Sequence, residues 1–153
     1  MKKLLILAFL ATASLTALCQ GNETDAVKKT INNMFDYMRE GDTTNLRNLL
    51  ADRFLMYYVN PKKDTTGNII TVSTPDFLKG VERAAGGHWN KKTVNYNDVN
   101  VSNGIAMVWA SYKFYLGEKF DHCGINTFQL LKTERGWRIV SVFYTIRTGN
   151  CPD

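Results

Sequence analysis

Hydrophobic positions recur along this chain with two different periods, and the change falls near residue 89. Before it, Val27, Ile31, Met34, Phe35 and Met38 repeat at three-and-four spacing, which predicts a helix over residues 24–39 with Thr24 as its N-cap. Glu40-Gly41 stops it, and Asp42 caps a second helix carrying Leu46, Leu49 and Leu50. The stretch "ADRFLMYYVN" leaves that helix as a strand, and the polar residues Pro61 to Gly67 read as a loop. A third helix follows in "STPDFLKGVERAAGG", with Pro75 in its first turn and Gly86-Gly87 as terminator. From Trp89 onward apolar and polar residues alternate, predicting strands near 92–101, 105–116, 121–132 and 137–147. The turns between them fall at Asn103-Gly104, Gly117-Glu118 and Glu134-Arg135-Gly136. Helices followed by hairpins predict an α+β fold, with three N-terminal helices on one face of an antiparallel sheet.

Register follows from the turns. Leu116 opposite Lys119 and Thr133 opposite Gly136 would gather Met107, Trp109, His122, Asn126, Phe128, Ser141, Phe143, Thr145 and Arg147 on one face. The other face would hold Val108, Ala110, Tyr112, Cys123, Ile125, Val140, Val142, Tyr144 and Ile146. Both are largely apolar. Helices can bury one, and a second copy of the chain across the sheet is the simplest cover for the other, which predicts a homodimer.

Composition changes the picture mainly at the N-terminus. Lys2-Lys3, the apolar run Leu4–Leu10 and the small residues beyond have the layout of a secretory signal peptide. The run is shorter than the roughly 20 residues of a membrane span. Cleavage after Ala17-Leu18-Cys19 is favoured over lipid attachment at Cys19, because Leu18 suits the latter poorly. The expectation is therefore residues 1–19 as signal peptide and 20–153 as one exported domain, periplasmic or secreted, with no membrane association after cleavage. Losing Lys2 and Lys3 lowers the formal charge from +5 to +3. That excess is scattered over doublets such as Lys28-Lys29 and Lys91-Lys92, not the dense stripe of a nucleic-acid binder. Cys123 and Cys151 are then left as a pair in an oxidising compartment, where a disulfide would stabilise by roughly 3–4 kcal/mol. The predicted register sets Cys123 opposite Ile146, so the chain would have to fold back at Gly149-Asn150 to close the bridge. Two free thiols are the alternative.

Four segments together, "FDYMREGDTTNLRNLLADRF", "HWNKK", "AMVWASYKFYLGEKFDHCG" and "FQLLKTERGWRIVSVFYTIRTGNC", resemble the nuclear transport factor 2-like superfamily. Within it they are most similar to the bacterial lumazine-binding-like and SnoaL-like (polyketide-cyclase-like) branch. The resemblance spans nearly all of residues 20–153, and Trp109 through Cys151 is its specific part. It implies a cone-shaped α+β barrel around a deep pocket, and dimers formed sheet to sheet. Steroid isomerases of the superfamily use a carboxylate base and two hydrogen-bond donors; the corresponding positions here are Tyr58, Met34 and Phe128, none of which can act so. Many relatives carry an acid, a threonine and two arginines near the end of the last strand. Here the stretch is Tyr144-Thr145-Ile146-Arg147, without the acid and the first arginine.

The expected function is binding of a small apolar or planar molecule without cofactor or turnover. Tyr58, Trp109, His122, Asn126, Phe128, Thr145 and Arg147 are the candidate contacts. Two roles compete for His122: a general base in a cofactor-free lyase, isomerase or hydrolase, or a strand histidine bonded to a carbonyl or to Asp121. A third possibility is a structural or partner-binding domain with a filled pocket. Cys123 cannot join His122 in a dyad, since adjacent strand residues point to opposite faces. His88 and His122 lack companions at metal-ligand spacing, so no metal is expected. Trp89 and Tyr57 are secondary candidates for pocket lining.

Overall fold

The computed structural model describes residues 23–59, 68–85, 87 and 89–151, with side chains described for all of these except 89–94. The expected signal peptide, the loop Pro61 to Gly67, and Gly86 and His88 lie outside the described residues, as does the side chain of Trp89.

Helix α1 covers residues 23–40 and is already helical at residue 23, so Thr24 lies inside its first turn and is not its cap. Its start is pinned by Glu23, whose carboxylate accepts from Lys132 Nζ (2.6 Å) and from Trp137 Nε1 (3.1 Å). Those donors, Lys132 first, hold the Glu23 carboxyl below its ordinary pKa. The helix ends as the sequence predicts: Gly41 takes a positive φ of 69°, and the Asp42 N–H returns to the Tyr37 carbonyl at 2.9 Å. A Cβ at Gly41 would also sit 2.6 Å from that of Ala85, so both space and backbone demand glycine. Asp42 then caps α2 (Thr43–Leu49), its carboxylate accepting from the Asn45 N–H at 2.9 Å, which lowers its pKa.

The strands are β1 (Leu50–Val59), β2 (Ile69–Ser73), β3 (Trp89–Ser102), β4 (Ile105–Leu116), β5 (Lys119–Thr133) and β6 (Gly136–Tyr144). Helix α3 (Thr74–Ala84) lies between β2 and β3, so two helices precede the sheet and the third interrupts it. Ser73 caps α3, and the buried Thr74 hydroxyl donates to the Phe54 carbonyl at 2.8 Å, tying α3 to β1. The sheet order is β2-β1-β6-β5-β4-β3. β1 runs parallel to β6 and every other pair is antiparallel, so the sheet is mixed, not antiparallel throughout. β2 and β3 are its edges, and the sheet does not close into the expected barrel. Hairpin turns mark only neighbours in sequence; the β1–β6 pairing joins distant segments and leaves no local signal.

Both predicted turn pairings hold, Leu116 with Lys119 and Thr133 with Gly136. Beyond each turn, however, one extra residue enters the ladder. Asp121 is unmatched between the pairs Tyr115–Phe120 and Phe114–His122, and Val140 between Leu130–Ile139 and Gln129–Ser141. Each bulge reverses which side chains of the neighbouring strand share a face with β5. Val108, Ala110, Tyr112, Val142 and Tyr144 therefore join His122, Asn126 and Phe128 on the inner face. Met107 (57 % exposed), Trp109 (52 %) and Phe143 (44 %) lie on the outer one. The register predicted for β5 itself stands; that of β4 and β6 relative to it is corrected.

The core lies between the inner face and α1 and α3. Val27, Ile31, Met34 and Phe35 of α1 meet Val108, Ala110, Phe128 and Leu130 of the sheet, all buried. Burying each such side chain contributes about 1.5–3 kcal/mol.

Candidate functional site

Between α3, the end of α1 and the β4–β5 hairpin, the inner face stays uncovered, leaving a solvent-open cavity of about 510 Å³. Met38, Met56, Phe77, Val81, Leu116 and Ile146 make most of its wall, and the polar groups reaching it are Tyr58, Tyr144, His122 and Asp76. No lysine or arginine lines it among the described residues.

Its rings come as two stacked pairs, each set by strand register. Tyr58 of β1 pairs with Tyr144 of β6, and their rings stack at 4.8 Å. Phe114 of β4 pairs with His122 of β5, and these stack at 4.7 Å. Directly opposed residues on paired strands have Cβ atoms about 5 Å apart, the spacing at which aromatic rings meet face to face. Burial, followed by the neighbouring Tyr58, pushes the Tyr144 phenol well above its ordinary pKa, so Tyr144 presents a neutral hydroxyl.

His122 is 17 % exposed, and its Nδ1 lies 2.6 Å from Asp121 Oδ2. Successive strand residues normally face opposite ways. The bulge at Asp121 suspends that alternation and lets two adjacent side chains meet. A carboxylate on Nδ1 fixes the imidazole plane and directs proton exchange to Nε2. Phe114 and Tyr144 were missed as site residues because their placement depends on the bulges. The contact with Asp121 is one of the two that the sequence offered for a strand histidine.

The other sequence-predicted contacts scatter. Phe128 is on the inner face but lies under α1, edge-on to Phe35 with centroids 6.1 Å apart. Asn126 is buried between Ala110 and Tyr144 in the ladder and does not line the cavity. Trp109 is on the outer face. Thr145 closes the sheet end: its carbonyl accepts from Tyr112 Oη (2.7 Å) and its Oγ1 from the Ile125 N–H (3.1 Å). Arg147 is exposed and bridges Cys123 through reciprocal backbone bonds of 2.8 Å. The structure thus brings together only Tyr58 and His122 of that set.

Cys123 and Cys151 form a disulfide with Cα atoms 5.7 Å apart. Cys123 faces Arg147 rather than Ile146, one residue nearer to Cys151 than the predicted register placed it. Gly124 beside it is required by space: a Cβ there would lie 2.1 Å from the Thr145 carbonyl oxygen.

Comparison with known proteins places this geometry. No curated protein matches the sequence. Solved structures match over most of the chain. One is an NTF2-like protein with a cystatin-like fold from Novosphingobium aromaticivorans (14 % identity, 91 % of each chain covered, TM-score 0.71). A second is an NTF2-like protein of unknown function from Silicibacter pomeroyi (21 %, 84 % of this chain and 98 % of that one, TM-score 0.64). A third, from Streptomyces avermitilis, is described as a "putative dehydratase" of the NTF2-like family (15 %, 85 % and 99 %, TM-score 0.65). At such identities these show the fold alone. The model of the family described as "Putative lumazine-binding" matches residues 22–145, and the chain belongs to that family, with the fold of the NTF2-like structures above.

Proposed function

We propose that this chain is an exported, homodimeric binding protein that holds a small, flat, mostly apolar molecule in the cavity without converting it. The observation that carries this reading is the open cavity of about 510 Å³, apolar except for a few polar groups and backed by two stacked ring pairs. Sites for small organic ligands have this make-up: apolar walls and a few placed polar anchors. Tyr58, Tyr144 and His122 are the anchors, with Phe114 and Phe77 as walls. The absence of a lining cation among the described residues, together with Asp76, favours a neutral or cationic ligand over an anion. The family's description, lumazine-binding, fits a planar heterocycle. An open cavity also weighs against a domain filled by its own side chains. The exposed apolar residues of the outer face away from the β5–β6 turn, Ile105, Met107, Trp109 and Phe143, support a second copy as cover.

Native mass spectrometry of protein purified from its own host tests all three parts. The expected species is a dimer of chains beginning at Gln20 and carrying an organic ligand. A chain retaining residues 1–19, or lipidated at Cys19, defeats the export route. A monomer defeats the dimer. An empty protein that also fails to bind the flat dye Nile red defeats the ligand reading.

The 2.6 Å Asp121–His122 contact favours one competing reading, a cofactor-free enzyme with His122 as base. His122→Gln separates the two: turnover is abolished if His122 is the base, whereas binding alone weakens if it is an anchor.

A further inference from the structure

A second concavity of about 440 Å³ lies away from the cavity, where α2 meets the β5–β6 turn. Its walls carry the guanidinium groups of Arg47, Arg135 and Arg138 against one carboxylate, Asp52, which is 95 % exposed. These arginines come from three separate elements: the last turn of α2, the hairpin turn, and β6. Their existing bonds are sparse. Among the described residues Arg47 makes only long contacts, to the Leu50 and Ala51 carbonyls (3.3 and 3.4 Å) and to Asp52 (3.5 Å). Arg138 donates to the Arg135 carbonyl at 3.4 Å, and no acidic partner meets Arg135 or Arg138 among the described residues. Each guanidinium has five N–H donors, so among the described residues these contacts engage only a small part of that capacity.

The framework beneath is firm. Thr133 Oγ1 donates to the Gly136 carbonyl (2.9 Å) and accepts from the Arg135 N–H (3.2 Å), fixing the turn that carries Arg135. The floor is apolar: Leu50 is buried, Val140 half-buried and Leu131 exposed. Val140 reaches it as the extra residue of the second bulge. Like charges gathered around an apolar floor repel one another unless an anion joins them. Guanidinium forks match the geometry of phosphate oxygens, and the volume exceeds what a bare ion needs.

We propose that Arg47, Arg135 and Arg138 form a second binding site, which takes the phosphate group of a small molecule whose apolar part rests on Leu50, Leu131 and Val140. The phosphate can belong to a soluble ester or to a lipid headgroup, and two probes distinguish these sources. Phenyl phosphate, titrated while the backbone amides of residues 133–138 are followed by NMR, reports the soluble source. Co-sedimentation with phosphatidylglycerol vesicles, against phosphatidylcholine vesicles, reports the lipid one. Saturable binding in either arm is expected, weakening with added salt and falling by about tenfold or more in the double variant Arg135→Gln/Arg138→Gln. Arg53→Gln, an exposed arginine outside the cleft, should leave it unchanged. Failure to saturate in both arms, or equal affinity in the double variant, overturns the site. Because the cavity is not involved, Nile red binding is expected to persist in every one of these variants.

Discussion

The two ends of the inner face share one sheet and carry opposite outcomes. Around Phe128 the face is filled: Phe35 of α1 meets the ring edge-on, and Val108, Ala110 and Leu130 complete the layer with almost no exposure. Around His122 the same strand faces the open cavity, because only Met38 at the tail of α1 reaches that far and α3 covers one side. Fold stability is concentrated at the first end and ligand chemistry at the second. A cavity of this size is tolerable only where the rest of the layer is tightly packed, since each unfilled region forfeits contacts that a core otherwise supplies.

That contrast can be broken most forcefully at the filled end. Phe128→Ala should lower unfolding free energy by about 3–5 kcal/mol, read from urea denaturation. Next is the junction between the two ends. Gly124→Ala drives a methyl into the Thr145 carbonyl, with an expected loss of roughly 3 kcal/mol and loosening of the Tyr112 bond to the same oxygen. At the open end, Phe114→Ala should cost only about 1–2 kcal/mol, because that half-buried ring already borders empty space. It should nevertheless weaken Nile red binding more than Phe128→Ala does in the folded fraction. Equal destabilisation by the two phenylalanine variants would erase the distinction between the ends.

The smallest effect is a matter of pH. Burial comes first in raising the phenols of Tyr112 and Tyr144 above the ordinary value of 10.0, and a neighbouring tyrosine adds to it in each case. The unfolded chain therefore binds fewer protons than the folded one above that pH. Their contribution to stability is complete below 10.0 and is lost as pH rises beyond it. Ultraviolet titration of phenolate should show these two tyrosines ionising above the ordinary value of 10.0. Tyr144→Phe should cost about 1 kcal/mol or less at neutral pH and flatten the alkaline decline.

Local signals were sufficient wherever a structure is decided within a few residues. The stop of α1 at Gly41, the Asp42 cap, the hairpin turns, and the inward parity of His122, Asn126 and Phe128 could all be read from neighbouring side chains and backbone preferences. What escaped was set by residues far apart in the chain. The parallel β1–β6 pairing, the open edges, and the two bulges at Asp121 and Val140 are features of the strand ladder, not of any local propensity.

Those bulges decided the site. An alternation of period two carries face information only while the ladder is unbroken, and one inserted residue inverts it for everything beyond. The sequence alone therefore determined the three helices, every strand except the short β2 (Ile69–Ser73), and which β5 side chains face inward. Tertiary structure decided what meets them: Tyr144 and Phe114 instead of Trp109 and Arg147, because one extra residue in β5 and one in β6 shift the facing strands by one position.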